Sequence, residues 1–323
     1  MLRLIVLVAF AVIGAVPCLA AETYPSRPVH VIVPYAPGGS TDMTARVISQ
    51  QLSEELSQSF VVENKTGAGS TIGNSYVAKA PPDGYTLLLA DQSLVLAPHL
   101  YKSVTFDVIN DFTPITEIGR IPAVLVVNPS LNINTLDELI KYARANPGKL
   151  NYGSAGTGGA VHLATELFKR AANIDITHVP YNGGGGALMS GVVGNHIQLV
   201  LTALPTVLPF VKSGQLKALA VTTSRGKRSS ALPDVPSMAE AGVPDMEVYF
   251  WYGLAGPAGM PPDTVEAIAR GVRKSLENPK VKDKLLAQGA ELVGGSPAEF
   301  GKLLRSEVTR WDGVFKNAGI KID

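Results

Sequence analysis

At 323 residues the chain is long enough for about two domains, and 46% hydrophobic against 17% charged residues suits a well-buried α/β protein. Lys+Arg number 28 and Asp+Glu 27, so no strong field exists to draw in nucleic acid or an acidic membrane. The one basic cluster, Arg225-Gly226-Lys227-Arg228, reads as a solvated loop.

Residues 1–21 read as a secretory targeting segment. Arg3 supplies the positive charge, Leu4–Val16 is apolar, and Cys18-Leu19-Ala20 leads to a cut near Ala20–Ala21. The apolar run is short for a bilayer span. Cys18 is the only cysteine, and Pro17 stands where lipid attachment wants a small residue. Secretion without a lipid anchor is therefore expected, and the mature chain has no disulfide. No later stretch is long and apolar enough for a transmembrane helix.

The rest of the chain is organised around the stretch Val29–Arg46. His30-Val31-Ile32-Val33 is a β-branched run that predicts a buried strand. Pro34 breaks it, and Ala36-Pro37-Gly38-Gly39 forms a loop. Ser40 or Thr41 then caps a helix with Asp42 in its first turn. Met43, Val47, Ile48, Leu52 and Leu56 make its apolar face. The glycines admit close backbone approach, and exposed N–H groups at a helix start favour an anion. The plain alternative is an ordinary strand-to-helix turn. Asp42 reads as a brace for the loop, because its charge would repel an anion in a pocket.

Phe60–Asn64 is a second strand, followed by the Gly-rich loop Thr66–Ser70 and a helix over Thr71–Ala80. Tyr85–Ala90 is a third strand, with Asp91-Gln92-Ser93 at its carboxyl end. Val124–Asn128 is a further apolar strand, and Thr135–Glu138 is a capping box that opens a helix. Asn151–Val161 repeats the opening design: a short strand, a loop of small and hydroxyl residues, then a helix over His162–Ala171. Strands Ile176–Pro180, His196–Leu201 and Lys217–Thr222 alternate with helices near Ala187–Val193 and Leu204–Lys212. Tyr249–Leu254 is a strand returning to the first unit. The tail is helical, and Ser296–Glu299 opens its last helix. Such alternation implies parallel sheets, whose ligands sit at strand carboxyl ends.

Catalytic motifs do not match. Gly153-Ser154-Ala155-Gly156 has Tyr152 where a nucleophile elbow needs Gly. Gly156-Thr157-Gly158 followed by Val161 departs from the dinucleotide fingerprint. There is no phosphate loop, and His30, His99, His162, His178 and His196 show no metal-ligand spacing. His162 reads as a ligand contact or a loop-positioning residue. No catalytic group, metal or cofactor is expected.

Several segments recur here in a specific order. They are Pro34–Gly39 with Asp42 and Ala45-Arg46, Asn64 with Gly67–Gly69, Pro82–Leu88, and Ser154–Gly159 with His162-Leu163. His178–Tyr181, Lys217–Val221, Leu232–Pro236 and Glu240–Gly242 complete the set. Across essentially the whole mature chain this resembles the Bug solute receptors of tripartite tricarboxylate transporters. The resemblance implies an α/β, two-lobed, type II-like periplasmic binding protein, each lobe a mainly parallel sheet flanked by helices. Lobe 1 is expected over 22–124 and 249–323 and lobe 2 over 125–248, with the ligand cleft between them. It implies a monomer in the periplasm that hands a small organic carboxylate, a di- or tricarboxylate or an aromatic acid, to membrane permease subunits.

The resemblance also implies contact residues. One carboxylate meets lobe 1 at Tyr35, Ala36, Pro37, Gly38, Gly39 and Ser93, with Gly69 and Ser70 nearby. A second polar group meets lobe 2 at Ser154, Ala155, Gly156, Thr157 and His162. The chain departs from the usual pattern at His196–Ala203, which carries no acidic residue. A ligand ammonium loses an obvious partner there, which argues against an amino acid. Gly183–Gly186 is unusually glycine-rich, and Lys65-Thr66 stands where Arg-Pro is common. The rival readings are a sensory receptor for the same ligand class and, more distantly, a hydrolase using Ser154 and His162.

Overall fold

The computed structural model describes residues 24–318, apart from 39, 155, 158, 182, 183, 225, 245 and 288. The targeting segment 1–21 lies outside the described residues. In chain order the first elements are β1 (Val29–Val33), α1 (Ser40–Glu55), β2 (Phe60–Asn64), α2 (Thr71–Ala78), β3 (Thr86–Asp91) and α3 (Gln92–Leu100). The long strand β4 (Phe112–Val127) is next, then α4 (Leu136–Ala145), β5 (Asn151–Ser154), α5 (Ala160–Ala172) and β6 (Thr177–Pro180). After α6 (Gly184–Val193) come β7 (Leu199–Ala203), α7 (Leu204–Lys212) and β8 (Lys217–Val221). The last elements are β9 (Tyr249–Pro257), α8 (Pro262–Glu277), α9 (Pro279–Leu286), β10 (Glu291–Leu292) and α10 (Pro297–Ala318).

The strands run in the order β2-β1-β3-β9-β4-β7-β5-β6, with β8 and β10 also paired to β4. β1 pairs in parallel with β2 and β3, and β5 with β6 and β7. β9 joins β3 antiparallel, and β4 joins β7, β8 and β9 antiparallel. Each sheet is thus parallel where strand–helix units succeed one another and antiparallel where the long strands enter. This is a two-lobed α/β fold.

β4 is where the lobes connect. Residues 112–122 pair with β9, whereas 123–127 pair with β7 and β8. Only Val124–Asn128 reads as a strand in the sequence, because Pro114, Gly119 and Pro122 interrupt the earlier part. Register shifts between Pro114 and Thr116 and between Glu117 and Gly119 absorb the first two, and Pro122 stands where the pairing with β9 ends. Thr222 ties the two crossings together. Its hydroxyl accepts the Ala123 N–H at 2.8 Å and donates to the Val248 carbonyl, and its own N–H reaches the Ala123 carbonyl at 2.9 Å.

Both faces of the central strands are covered, which explains their unbroken apolar runs. On β1, Val29, Val31 and Val33 pack with Ile48, Leu52 and Ile268, while Ile32 packs on the other face with Leu88, Leu94 and Phe300. In β4, Leu125 and Val127 face one core of the second lobe and Val124 and Val126 the other. Leu163 of α5 is fully buried within the α3–α10 core of the first lobe, so the two lobes touch beside the cleft. Thr135 caps α4 by accepting the Glu138 N–H at 3.2 Å, while Glu138 reaches one residue further back than a capping box does and accepts the Asn134 N–H at 2.6 Å.

Candidate ligand-binding site

A cavity of about 430 Å³ lies between the lobes, within the usual range for small-molecule sites. Tyr35 enters it from the loop after β1, Ser40 and Thr41 from the start of α1, and Asp91 and Ser93 from the β3–α3 junction. Gly156, Thr157 and the first residues of α5 face it from the second lobe, with Thr202 and Thr206 beside them. Phe250, Trp251 and Tyr252 of β9 form its floor, because β9 runs antiparallel to β3 with Tyr252 opposite Asp91. A second cavity of about 1050 Å³ borders the same Tyr35, Ser40 and Thr206, and is lined further by Ala36, Pro37 and Gly38. Asp91 is the only charged side chain lining either one among the described residues.

The lobe 1 wall is built around two carboxylates. Asp42 accepts the Gly38 N–H at 2.9 Å, both Arg46 N–H groups at 2.9 and 3.0 Å, and the Asn64 amide at 2.9 Å. Burial raises its pKa, but the bonds from Arg46, Gly38 and Asn64 outweigh this and leave it below the ordinary carboxylate value. Asp42 therefore braces the loop, as its place in the first turn suggests. Asp91 caps α3 and accepts the Ser93 N–H at 2.9 Å, the Ser93 hydroxyl at 2.6 Å, Tyr35 at 3.1 Å and Thr41 at 3.2 Å. Burial pushes its pKa up despite these donors.

The lobe 2 wall differs. The N-cap residues of α5 and α7 are Gly159 and Ala203, and neither caps its helix with a side chain. Such helix starts favour an anion through their first-turn N–H groups and dipoles, although Pro205 leaves the first turn of α7 one N–H short.

The expected contact residues divide into three groups. Tyr35, Gly69, Ser93, Gly156 and Thr157 line the smaller cavity, and Ala36, Pro37 and Gly38 the larger. Gly39 and Ala155 lie outside the described residues. Ser70, Ser154 and His162 line neither cavity. Ser70 is buried under α2 and accepts from the Asn74 amide at 3.3 Å. Ser154 is fully buried, donates to the Gly156 carbonyl at 2.9 Å and sits 2.7 Å from His178 Nε2. His162 stacks on His178 with ring centroids 4.0 Å apart, and Tyr152 stacks on His178 at 5.0 Å. Ser154 and His162 thus pack with His178 beside the β5–α5 loop, while Ser70 lies at the start of α2 in the other lobe.

Ser154 and His178 have the spacing of a nucleophile and its base. The serine has no access to the cavity, however, and its hydroxyl is engaged with its own loop. Burial, and then the neighbouring His162, lower the His178 pKa to about 4, so the ring is neutral near pH 7. The partner of Ser154 is thus His178, not His162. Among the described residues no group of three His, Cys, Asp or Glu could hold a metal. No described helix is long and apolar enough to cross a membrane.

Sequence reasoning missed Asp91, Ser40 and Thr41 as cavity residues. Asp91 had a signal, since it ends a strand at the expected ligand edge. The Phe250–Tyr252 floor had none, because only the strand pairing brings it there.

Comparison with known proteins decides the family. The pattern described as "Tripartite tricarboxylate transporter family receptor" matches residues 44–320. The chain belongs to this receptor family. The receptor is similar to the protein BugT of Bordetella pertussis, 38% identical over 97% of this chain and 95% of the relative. It is also similar to the solved structure of R. palustris Rpa4515 with adipate, at a TM-score of 0.84 and 38% identity over 93% of this chain and 100% of that one. MatC from Rhodopseudomonas palustris with bound malate gives a TM-score of 0.79 and 30% identity over 90% and 99%. The family consists of solute-binding receptors rather than enzymes, which sets aside the hydrolase reading.

Proposed function

We propose that this receptor captures a small organic carboxylate in the cleft between its lobes and delivers it, in the periplasm, to the permease subunits of a tripartite tricarboxylate transporter. The observation that carries this reading is the smaller cavity. It is lined from both lobes, holds no Lys or Arg among the described residues, and receives two helix starts that no side chain caps. A buried carboxylate needs several donors, and first-turn N–H groups supply them. Leu96, Leu100, Phe250 and Trp251 give the carbon skeleton an apolar wall. The relatives solved with adipate and malate support a carboxylate ligand. A ligand that touches both lobes favours the closed arrangement over the open one, and the permease reads that difference. The targeting segment at residues 1–21 supports export.

The test is thermal unfolding of refolded, ligand-stripped mature protein against a panel of carboxylates, amino acids and aromatic acids. A ligand at about a hundred times its Kd adds about 2.7 kcal/mol of stability. A shift with at least one carboxylate is expected. No shift with any compound contradicts the reading.

A further inference from the structure

We propose that Leu163 is a positioning residue for ligand binding: it docks α5 of the second lobe on α3 of the first, so that the two walls of the cavity face each other before a ligand arrives. This goes beyond the receptor reading above and depends on no particular ligand.

α5 carries two apolar faces. Ala164, Phe168 and Ala172, spaced by four, are buried in the core of the second lobe. Ala160, Leu163 and Leu167, at spacing i, i+3, i+7, form a second stripe. Ala160 and Leu167 are partly buried and touch the cores of both lobes. Leu163 is fully buried and belongs to the core of the first lobe, with Leu96 and Leu100 of α3 and Phe300 and Trp311 of α10. Among the described residues it is the only member of that core's buried set that comes from between β4 and β9. A helix that served its own lobe alone would carry a polar residue there.

Other apolar contacts between the lobes come from the crossing strands themselves, as with Ile121 of β4 and Tyr252 of β9 in the second lobe's core. Leu163 instead reaches across from a helix, where α5 lies against α3. Leu96, Leu100 and Ala160 also line the smaller cavity, so this contact forms one of its edges. Between α1 and the pair α6–α7 the lobes leave the larger cavity, with Met43 on one side and Met189 and Leu208 on the other.

The contact reaches the cavity wall through the backbone. The Leu163 N–H donates to the Gly159 carbonyl at 3.0 Å, and the Gly159 N–H donates to the Gly156 carbonyl at 3.3 Å. Gly156, Thr157 and Ala160 line the cavity, so fixing Leu163 fixes the part of the second lobe that a ligand meets. Both sides of the contact are this chain's own side chains, so it forms with or without a ligand. Parting α5 from α3 exposes a whole leucine side chain to water, which favours the docked arrangement roughly tenfold to a hundredfold. Apparent affinity scales with the fraction of protein already in the competent arrangement. Leu163 therefore raises affinity without touching the ligand.

The experiment is small-angle X-ray scattering of refolded, ligand-stripped mature protein, of Leu163→Asp and of Leu163→Met, each with a circular dichroism spectrum. The unmodified protein is expected to scatter as the docked arrangement does. Leu163→Asp is expected to show a larger radius of gyration at unchanged helix content. Its carboxylate is solvated once α5 leaves α3, but is buried without a partner while α5 stays. Leu163→Met keeps the apolar contact and is expected to match the unmodified protein. An unmodified protein more extended than the docked arrangement overturns the proposal, and that result needs no variant. A Leu163→Asp profile identical to that of the unmodified protein overturns it too. Loss of helix content in Leu163→Asp would make Leu163 a folding residue of one lobe, not a docking contact, and also overturns it. No ligand takes part, so none of these results bears on the receptor reading.

Discussion

The hydroxyl of Thr222 accepts the backbone N–H of Ala123 at 2.8 Å, at the residue where β4 leaves one sheet for the other. The same side chain holds the Val248 carbonyl, one residue before β9 begins, so both crossings are fastened at one fully buried point. Thr222→Val keeps the shape and removes the hydroxyl. It leaves the buried Ala123 N–H unpaired, at an expected cost of about 1–3 kcal/mol in urea unfolding. An unchanged midpoint would show that the crossings are held by strand pairing alone.

Asp42 closes four hydrogen bonds around the first loop. Asp42→Ala is expected to cost about 2–3 kcal/mol, less than a fully buried ion pair because Arg46 is half exposed. The folded carboxyl titrates below its ordinary value of 3.8, so its contribution is present above that pH and fades as pH falls through the lower folded value. Unfolding curves for both proteins should converge in strong acid. A constant difference down to the lowest pH would contradict this.

Gly69 adopts φ +59°, and a Cβ built on it would sit 2.0 Å from the Tyr101 hydroxyl oxygen. Gly69→Ala must move Tyr101, which lines the cavity. The expected result is a loss of about 1–3 kcal/mol together with weaker ligand binding. Wild-type affinity in this variant would place the ligand away from Tyr101.

His178 gives the protein an acid-sensitive step. The unfolded chain takes up this proton near the ordinary pH of 6.5, while the folded ring resists it until about 4. Between those values the unfolded state binds more protons, so stability rises with pH and falls on acidification. His178→Asn is expected to flatten that slope between pH 6.5 and 4. His162 is shifted in the same direction by burial and keeps part of the slope in the variant. An identical slope in both proteins would mean that His178 titrates normally in the fold.

The periodicity of the chain exposes most of the strand–helix units, because buried parallel strands are continuous apolar runs and a helix such as α4 begins at a hydroxyl cap. The loops around Gly38, Gly67 and Ser93 could be placed at one edge for the same reason. Three features were not legible. The first half of β4 hides behind Pro114, Gly119 and Pro122, the first two of which lie at register shifts. α3 begins directly at Asp91 with no loop to announce it and contains Pro98, a residue that argues against a helix. The aromatic floor from β9 depends on pairing between residues some 160 positions apart, which no local pattern encodes. Ser154 and His162 are implied as contacts by the family resemblance alone, and the packing places both beside His178, outside the lining of either cavity.

The cleft can be probed through its own fluorophore. The chain has two tryptophans, Trp251 in the cavity floor and Trp311 of α10, buried in the first-lobe core. In a Trp311→Phe protein, Trp251 is the only indole. Titration with a carboxylate that binds by calorimetry should change its emission saturably, with the same Kd. Calorimetric binding to saturation with no change in Trp251 emission would place the ligand outside the cavity and contradict the proposed site.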